Sequence, residues 1–100
     1  MAIIKDPEGR ETTALHAMVD FKDMRVLEIG CGNGRLTWRY AENAKHVTAI
    51  DPDGNKIEAA KAQIPERLKS RIRFLESTLA DFVGTFNDIG FDVAIFSWSL

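Results

Sequence analysis

The residues best placed for chemistry are Glu28, Gly30, Cys31, Gly32 and Gly34 in "VLEIGCGNGRLT", followed by Asp51 in "VTAIDPDG". Glycines at alternate positions let the chain turn tightly and bring bare backbone against a ligand, where a Cβ would obstruct or sit strained at positive φ. A helix starting directly afterwards would aim its first N–H groups at the same place. Asp51 closes an apolar run, and its carboxylate can accept from two ribose hydroxyls. The glycine spacing is G-x-G-x-G, with Arg35 standing where a dinucleotide-binding G-x-G-x-x-G/A loop has its third small residue. Glu28 would repel a pyrophosphate but suits a ligand carrying a cationic group.

Short apolar runs alternating with helical patterns must position these residues. "RVLEIG" (Arg25 to Gly30), "HVTAID" (His46 to Asp51), "RIRFLE" (Arg71 to Glu76) and "FDVAIFSW" (Phe91 to Trp98) have strand length and β-branched or aromatic content. "GRLTWRYAENAK" repeats Leu36, Tyr40 and Ala44 on one helical face, and "DGNKIEAAKAQI" does the same with Ile57, Ala60 and Ile64. Pro65 stops the second helix or begins a new turn. "TLADFVGTFNDIG" predicts a short helix and then a loop, and "ETTALHAMVDF" a helix following the Pro7 to Gly9 turn. Strands alternating with helices give an α/β fold with a parallel sheet and right-handed crossovers. In such sheets the ligand lies beyond the carboxyl ends of the strands, which is where the glycine stretch falls.

The 100 residues make one domain or part of one, 45% hydrophobic and 28% charged, which is ordinary for a packed globular chain. Thirteen Lys plus Arg against fifteen Asp plus Glu leave a charge of -2, so no global field draws the chain to nucleic acid. The basic run "RLKSRIR" is flanked by Glu66 and Glu76 and reads as a solvated helix end. Cys31 is the single cysteine, a small loop filler with no His near it in sequence, and it suits a reducing compartment. His16 and His46 have no ligand spacing, so no metal site is expected. The N-terminus has no apolar signal region, and no run approaches the about 18 apolar residues of a membrane span. The expected location is the cytoplasm.

With both acids and the glycine spacing in view, the chain resembles a class I S-adenosylmethionine-dependent methyltransferase from Val26 to Leu100. "VLEIGCGNGRLT" is similar to that family's first motif, "VTAIDPDGNKIEAAK" to its second and "FDVAIFSWSL" to its fourth. The resemblance implies a Rossmann-like three-layer α/β/α fold whose four strands here, of the usual seven, stand in the order 3-2-1-4. It also implies that Glu28 and the Gly30 to Gly34 backbone, Cys31 included, hold the methionine portion of S-adenosylmethionine, the product being S-adenosylhomocysteine. Asp51 would bind the ribose and Pro52 would pack on the adenine. The third motif departs from the family pattern: Thr78 stands where many relatives have an acid for the adenine amino group, with the Leu79 N–H facing adenine N1. Ser97, Trp98 and Ser99 in "FSWSL" fall where substrate meets cofactor in the family. The Asn/Asp-Pro-Pro-aromatic signature of amino-group methylation is missing from that stretch, which favours a small-molecule acceptor. No catalytic residue is assigned, because an activated methyl group needs alignment more than a base.

Residues 1–24 read as a helical lead-in and 25–100 as the cofactor-binding half of a methyltransferase domain cut off after its fourth strand. Ending there would leave one side of the fourth strand unpaired, so the chain is expected to be part of a longer protein, or to dimerise through that strand. Two other functions fit the residues: a non-catalytic cofactor-binding or interaction module, and a nucleotide-dependent oxidoreductase. Arg35 and Glu28 disfavour the latter.

Overall fold

The four apolar runs fold as buried parallel strands, whose β-branched side chains pack on both faces of a sheet. The computed structural model describes residues 2–5, 21–34, 36–85 and 90–97. Strands β1 (Ala2–Lys5), β2 (Arg25–Ile29), β3 (His46–Asp51), β4 (Ile72–Glu76) and β5 (Val93–Phe96) form one sheet in the order β1-β5-β2-β3-β4. All pairings are parallel. The expected 3-2-1-4 order is therefore present as β4-β3-β2-β5.

The sheet departs from expectation at its N-terminal end. Residues 2–5 lie in the segment read as a helical lead-in, yet they form β1 and pair with Val93 to Phe96 of β5. That pairing covers the side of β5 expected to be open, so the strand offers no free edge for a dimer. The helix expected over "ETTALHAMVDF" lies outside the described residues except at Phe21, which is buried and stacks on Tyr40 at 4.9 Å.

Helices α1 (Thr37–Tyr40) and α2 (Gly54–Gln63) cover one face of the sheet, and α3 (Leu79–Thr85) covers the other. On the first face Val26, Val47, Ala49, Phe74, Val93 and Ile95 meet Leu36, Tyr40, Ile57 and Ala60. On the second, Leu27, Ile29, Ile50 and Ala94 meet Phe82. The alternation places Glu28, between Leu27 and Ile29, on the first face among apolar neighbours.

Helix α1 is shorter than the periodicity predicts. After Asn43 the chain is drawn to the sheet, where Lys45 N–H donates to Met24 O at 2.8 Å and Ala44 bridges Lys22. Helix α2 matches its reading: Asp53 Oδ1 accepts from Asn55 and Lys56 N–H at 3.0 and 3.3 Å. Ile64 is extended, at ψ 121, before Pro65, which opens the single turn Glu66–Leu68.

Candidate functional site

A parallel sheet brings the carboxyl ends of all its strands to one edge, and the sequence-assigned residues collect there. Gly30 and Cys31 N–H donate to Ile50 O at 2.8 and 3.1 Å, Ser77 N–H to Asp51 O at 3.0 Å, and Ser97 N–H to Ile29 O at 2.9 Å. The tips of β2, β3, β4 and β5 are thereby stitched into one rim.

The loop leaving β2 turns through Gly30, Gly32 and Gly34 at φ 79, 58 and 93. Two of these glycines have different steric reasons. Above Gly32 a Cβ would meet only the Lys56 stem, at 3.9 Å, so the loop surface there is open. At Gly34 a Cβ would stand 2.8 Å from Trp38 Cζ2, so this glycine makes room for a core side chain. Trp38 in turn packs edge-on against Phe74, with ring centroids 5.6 Å apart.

Four of the loop's donors are already committed. Besides Gly30 and Cys31, Gly34 N–H donates to Cys31 O at 3.1 Å and Gly32 N–H to Asp51 Oδ2 at 2.9 Å. A pyrophosphate site needs such N–H groups aimed at the anion. This arrangement instead suits a cationic group more than a phosphate.

Asp51 is half-buried at the tip of β3. Its Oδ2 takes Gly32 N–H and its Oδ1 takes Asp53 N–H at 2.8 Å. Each carboxylate oxygen can accept twice, so the two bonds fix the group and leave capacity for a diol. Pro52 follows it, exposed on the same rim.

Thr78 is exposed, and its Oγ1 accepts the N–H of Asp81 at 3.1 Å, capping α3. Its hydroxyl proton remains available to donate. Leu79 follows it in the chain, a large apolar side chain left 37% exposed.

Cys31 turns inward. It is buried in the core cluster, and its Sγ lies 3.6 Å from Gly32 O. Burial above all, reinforced by the charges of Glu28 and Asp51, pushes the thiol far above its ordinary range. It is a packing residue, and only its backbone belongs to the loop surface.

Glu28 also turns inward, with no exposed surface. Thr37 Oγ1 and Tyr40 OH both donate to its Oε1 at 2.6 Å, and Ser97 Oγ donates to its Oε2 at 2.5 Å. Burial first, then the charge of Glu28 and the hydrogen bond to it, hold the Tyr40 phenol far above its usual pKa. Sequence reasoning missed Thr37 and Tyr40 as its partners, although an acid inside an apolar strand must find donors. Trp98 and Ser99 lie outside the described residues.

A groove of about 590 Å³ lies at the other end of the sheet, with Lys22, Glu42 and Arg71 in its lining. There the basic run is braced internally. Arg67 pairs with Glu42, Lys69 with Glu66 at 2.8 Å, and Arg71 Nη1 donates to Glu42 O at 2.6 Å. Among the described residues no group of His, Cys, Asp and Glu could hold a metal, and no helix is long and apolar enough to cross a membrane.

Residues 26–100 match the family described as "Methyltransferase domain". The chain is 31% identical over 78 residues to a magnesium-protoporphyrin O-methyltransferase of Rhodobacter capsulatus, covering 74% of this chain and 35% of that protein. It is 32% identical over 76 residues to a ubiquinone biosynthesis O-methyltransferase of Rickettsia bellii, covering 76% of this chain and 30% of the relative. The chain thus spans about a third of the length of these relatives. In fold it resembles the YcgJ protein of Bacillus, with a TM-score of 0.74 at 21% identity over 86% of this chain and 36% of that one. It also resembles magnesium protoporphyrin IX methyltransferase from Synechocystis, solved with bound SAM, with a TM-score of 0.64 at 22% identity over 85% and 39% of the two chains.

Proposed function

The chain belongs to the methyltransferase-domain family, and from that footing we propose that the protein transfers a methyl group from S-adenosylmethionine to a small-molecule acceptor. In this reading residues 25–100 supply the cofactor-binding half of the domain. The observation that carries it is the commitment of the Gly30, Cys31, Gly32 and Gly34 N–H groups within the chain, beside a carboxylate fixed at the tip of β3. That combination favours a cationic nucleoside over a dinucleotide.

When bound, the cofactor supplies a methyl group already activated on a sulfonium, so the protein's task is alignment and exclusion of water. The open backbone at Gly32 would accommodate the methionine portion in the loop that begins at Gly30, and Asp51 would accept from the ribose hydroxyls. Pro52 and the exposed Leu79 side chain would flank the adenine, and the Thr78 hydroxyl and the Leu79 N–H would serve its polar edge. Ser97 closes the rim at the tip of β5, where the acceptor arrives. The names of the two curated relatives support a small-molecule acceptor. The buried, unpaired Cys31 supports a reducing compartment, the cytoplasm.

Thermal unfolding with added ligand tests this reading. A ligand that binds only the folded chain raises its melting temperature by mass action. S-adenosylhomocysteine should raise it and NAD should not; the reverse preference would refute the reading.

A further inference from the structure

Among the described residues Glu28 is the only charged side chain that is buried. It lies in β2 opposite Ile95 of β5, on the face covered by α1 and α2. The strand order reverses between these two strands, because the chain runs from β2 out through β3 and β4 and then returns to β5 on the other side. Ligands of open parallel sheets sit above such a reversal. Glu28 stands directly beneath it.

Its contacts join three elements. Oε1 holds Thr37 and Tyr40 of α1, where the glycine loop ends, while Glu28 itself stands where that loop begins. Oε2 holds Ser97, just past β5. Both carboxyl oxygens serve here as acceptors, and three hydroxyl donors meet them. A side chain with no exposed surface cannot also touch a ligand lying on the loop.

We propose that Glu28 is a positioning residue, whose carboxylate sets the glycine loop and α1 against Ser97 and so holds the two walls of the cofactor cleft in register. The inference rests on the reading that this cleft binds S-adenosylmethionine, and it moves Glu28 from ligand contact to internal strut. It predicts that hydroxyls which never meet the ligand still govern its affinity.

The test is calorimetric titration of S-adenosylhomocysteine into the wild type, Glu28→Gln, Tyr40→Phe, the double variant, Thr37→Val and Thr37→Ser, each checked for folding by circular dichroism. Tyr40→Phe and Thr37→Val should each weaken binding about five- to tenfold, the loss of one buried hydrogen bond. Thr37→Ser should bind as the wild type does. Adding Tyr40→Phe to Glu28→Gln should cost little more than Glu28→Gln alone, because both act through one carboxylate. If Glu28→Gln fails to fold, the Thr37 and Tyr40 variants, which keep Glu28, carry the test. Weakening in Glu28→Gln with wild-type affinity in Tyr40→Phe and Thr37→Val would mean direct ligand contact and overturn the proposal. Wild-type affinity in every folded variant would reduce the cluster to a stability element and overturn it too. A wild type that does not bind is a separate result: it fails the cofactor reading itself and takes this inference with it.

Discussion

Asp51 Oδ2 accepts the N–H of Gly32 at 2.9 Å, tying the tip of β3 to the middle of the glycine loop. One carboxylate therefore shapes the loop and presents acceptors to a ribose. Asp51→Ala should weaken S-adenosylhomocysteine binding by about 1 to 3 kcal/mol, through loss of the charged acceptor and of the bond that orders Gly32. Titration calorimetry checks it, and an unchanged dissociation constant would remove Asp51 from the site.

Gly32 and Gly34 should respond differently to alanine. At Gly34 the new Cβ would stand 2.8 Å from Trp38 Cζ2 at φ 93, so Gly34→Ala should destabilise the fold by about 2 to 4 kcal/mol. At Gly32 the new Cβ would meet only Lys56 Cδ, at 3.9 Å, so Gly32→Ala should lose about 1 kcal/mol from backbone strain alone. Urea unfolding of the two variants measures the contrast. Equal losses would contradict the separate reasons assigned to these glycines.

Cys31 should be inert in the folded chain. Its buried thiol is held far above its ordinary pKa, and only the thiolate reacts. Labelling with an aromatic disulfide at neutral pH should be at least about a hundredfold slower than in denaturing urea, because it requires the core to open. Rapid native labelling would place the thiol on the loop surface instead.

His46 carries a pH dependence. Burial chiefly, then the positive charges of Arg73 and Arg25, lowers its pKa below 6.5. The unfolded chain therefore binds the proton more readily than the folded one. Its contribution to stability is complete above about 6.5 and declines as pH falls toward the folded value. Urea midpoints from pH 7 to pH 5 should drop more for the wild type than for His46→Gln. Parallel profiles, or a wild type that gains stability on acidification, would contradict the assignment.

Much of this structure is readable in the residues because parallel strands buried on both faces demand continuous apolar runs, and β2 to β5 have them. Asp53 as the cap of α2 and Pro65 behind its end are equally local signals. Strand β1 is not readable in that way. "AIIK" is four residues, followed by a polar Pro-Gly stretch, and its partner β5 lies at the other end of the chain. The hydroxyl cluster escaped because Tyr40 fits the apolar stripe of its helix, so periodicity absorbed it. Its signal was Glu28 itself, on the same face as Val26 in an inward-facing strand. Gly34 resembles a ligand-binding glycine until Trp38, four residues on, is seen to pack against it.

The most direct measurement is isothermal titration of this chain with S-adenosylhomocysteine, with NAD in parallel and circular dichroism to establish folding. Saturable binding of S-adenosylhomocysteine without binding of NAD is the predicted result. A folded chain that binds NAD, or neither ligand, would contradict the assignment of the glycine loop and Asp51 as the cofactor site.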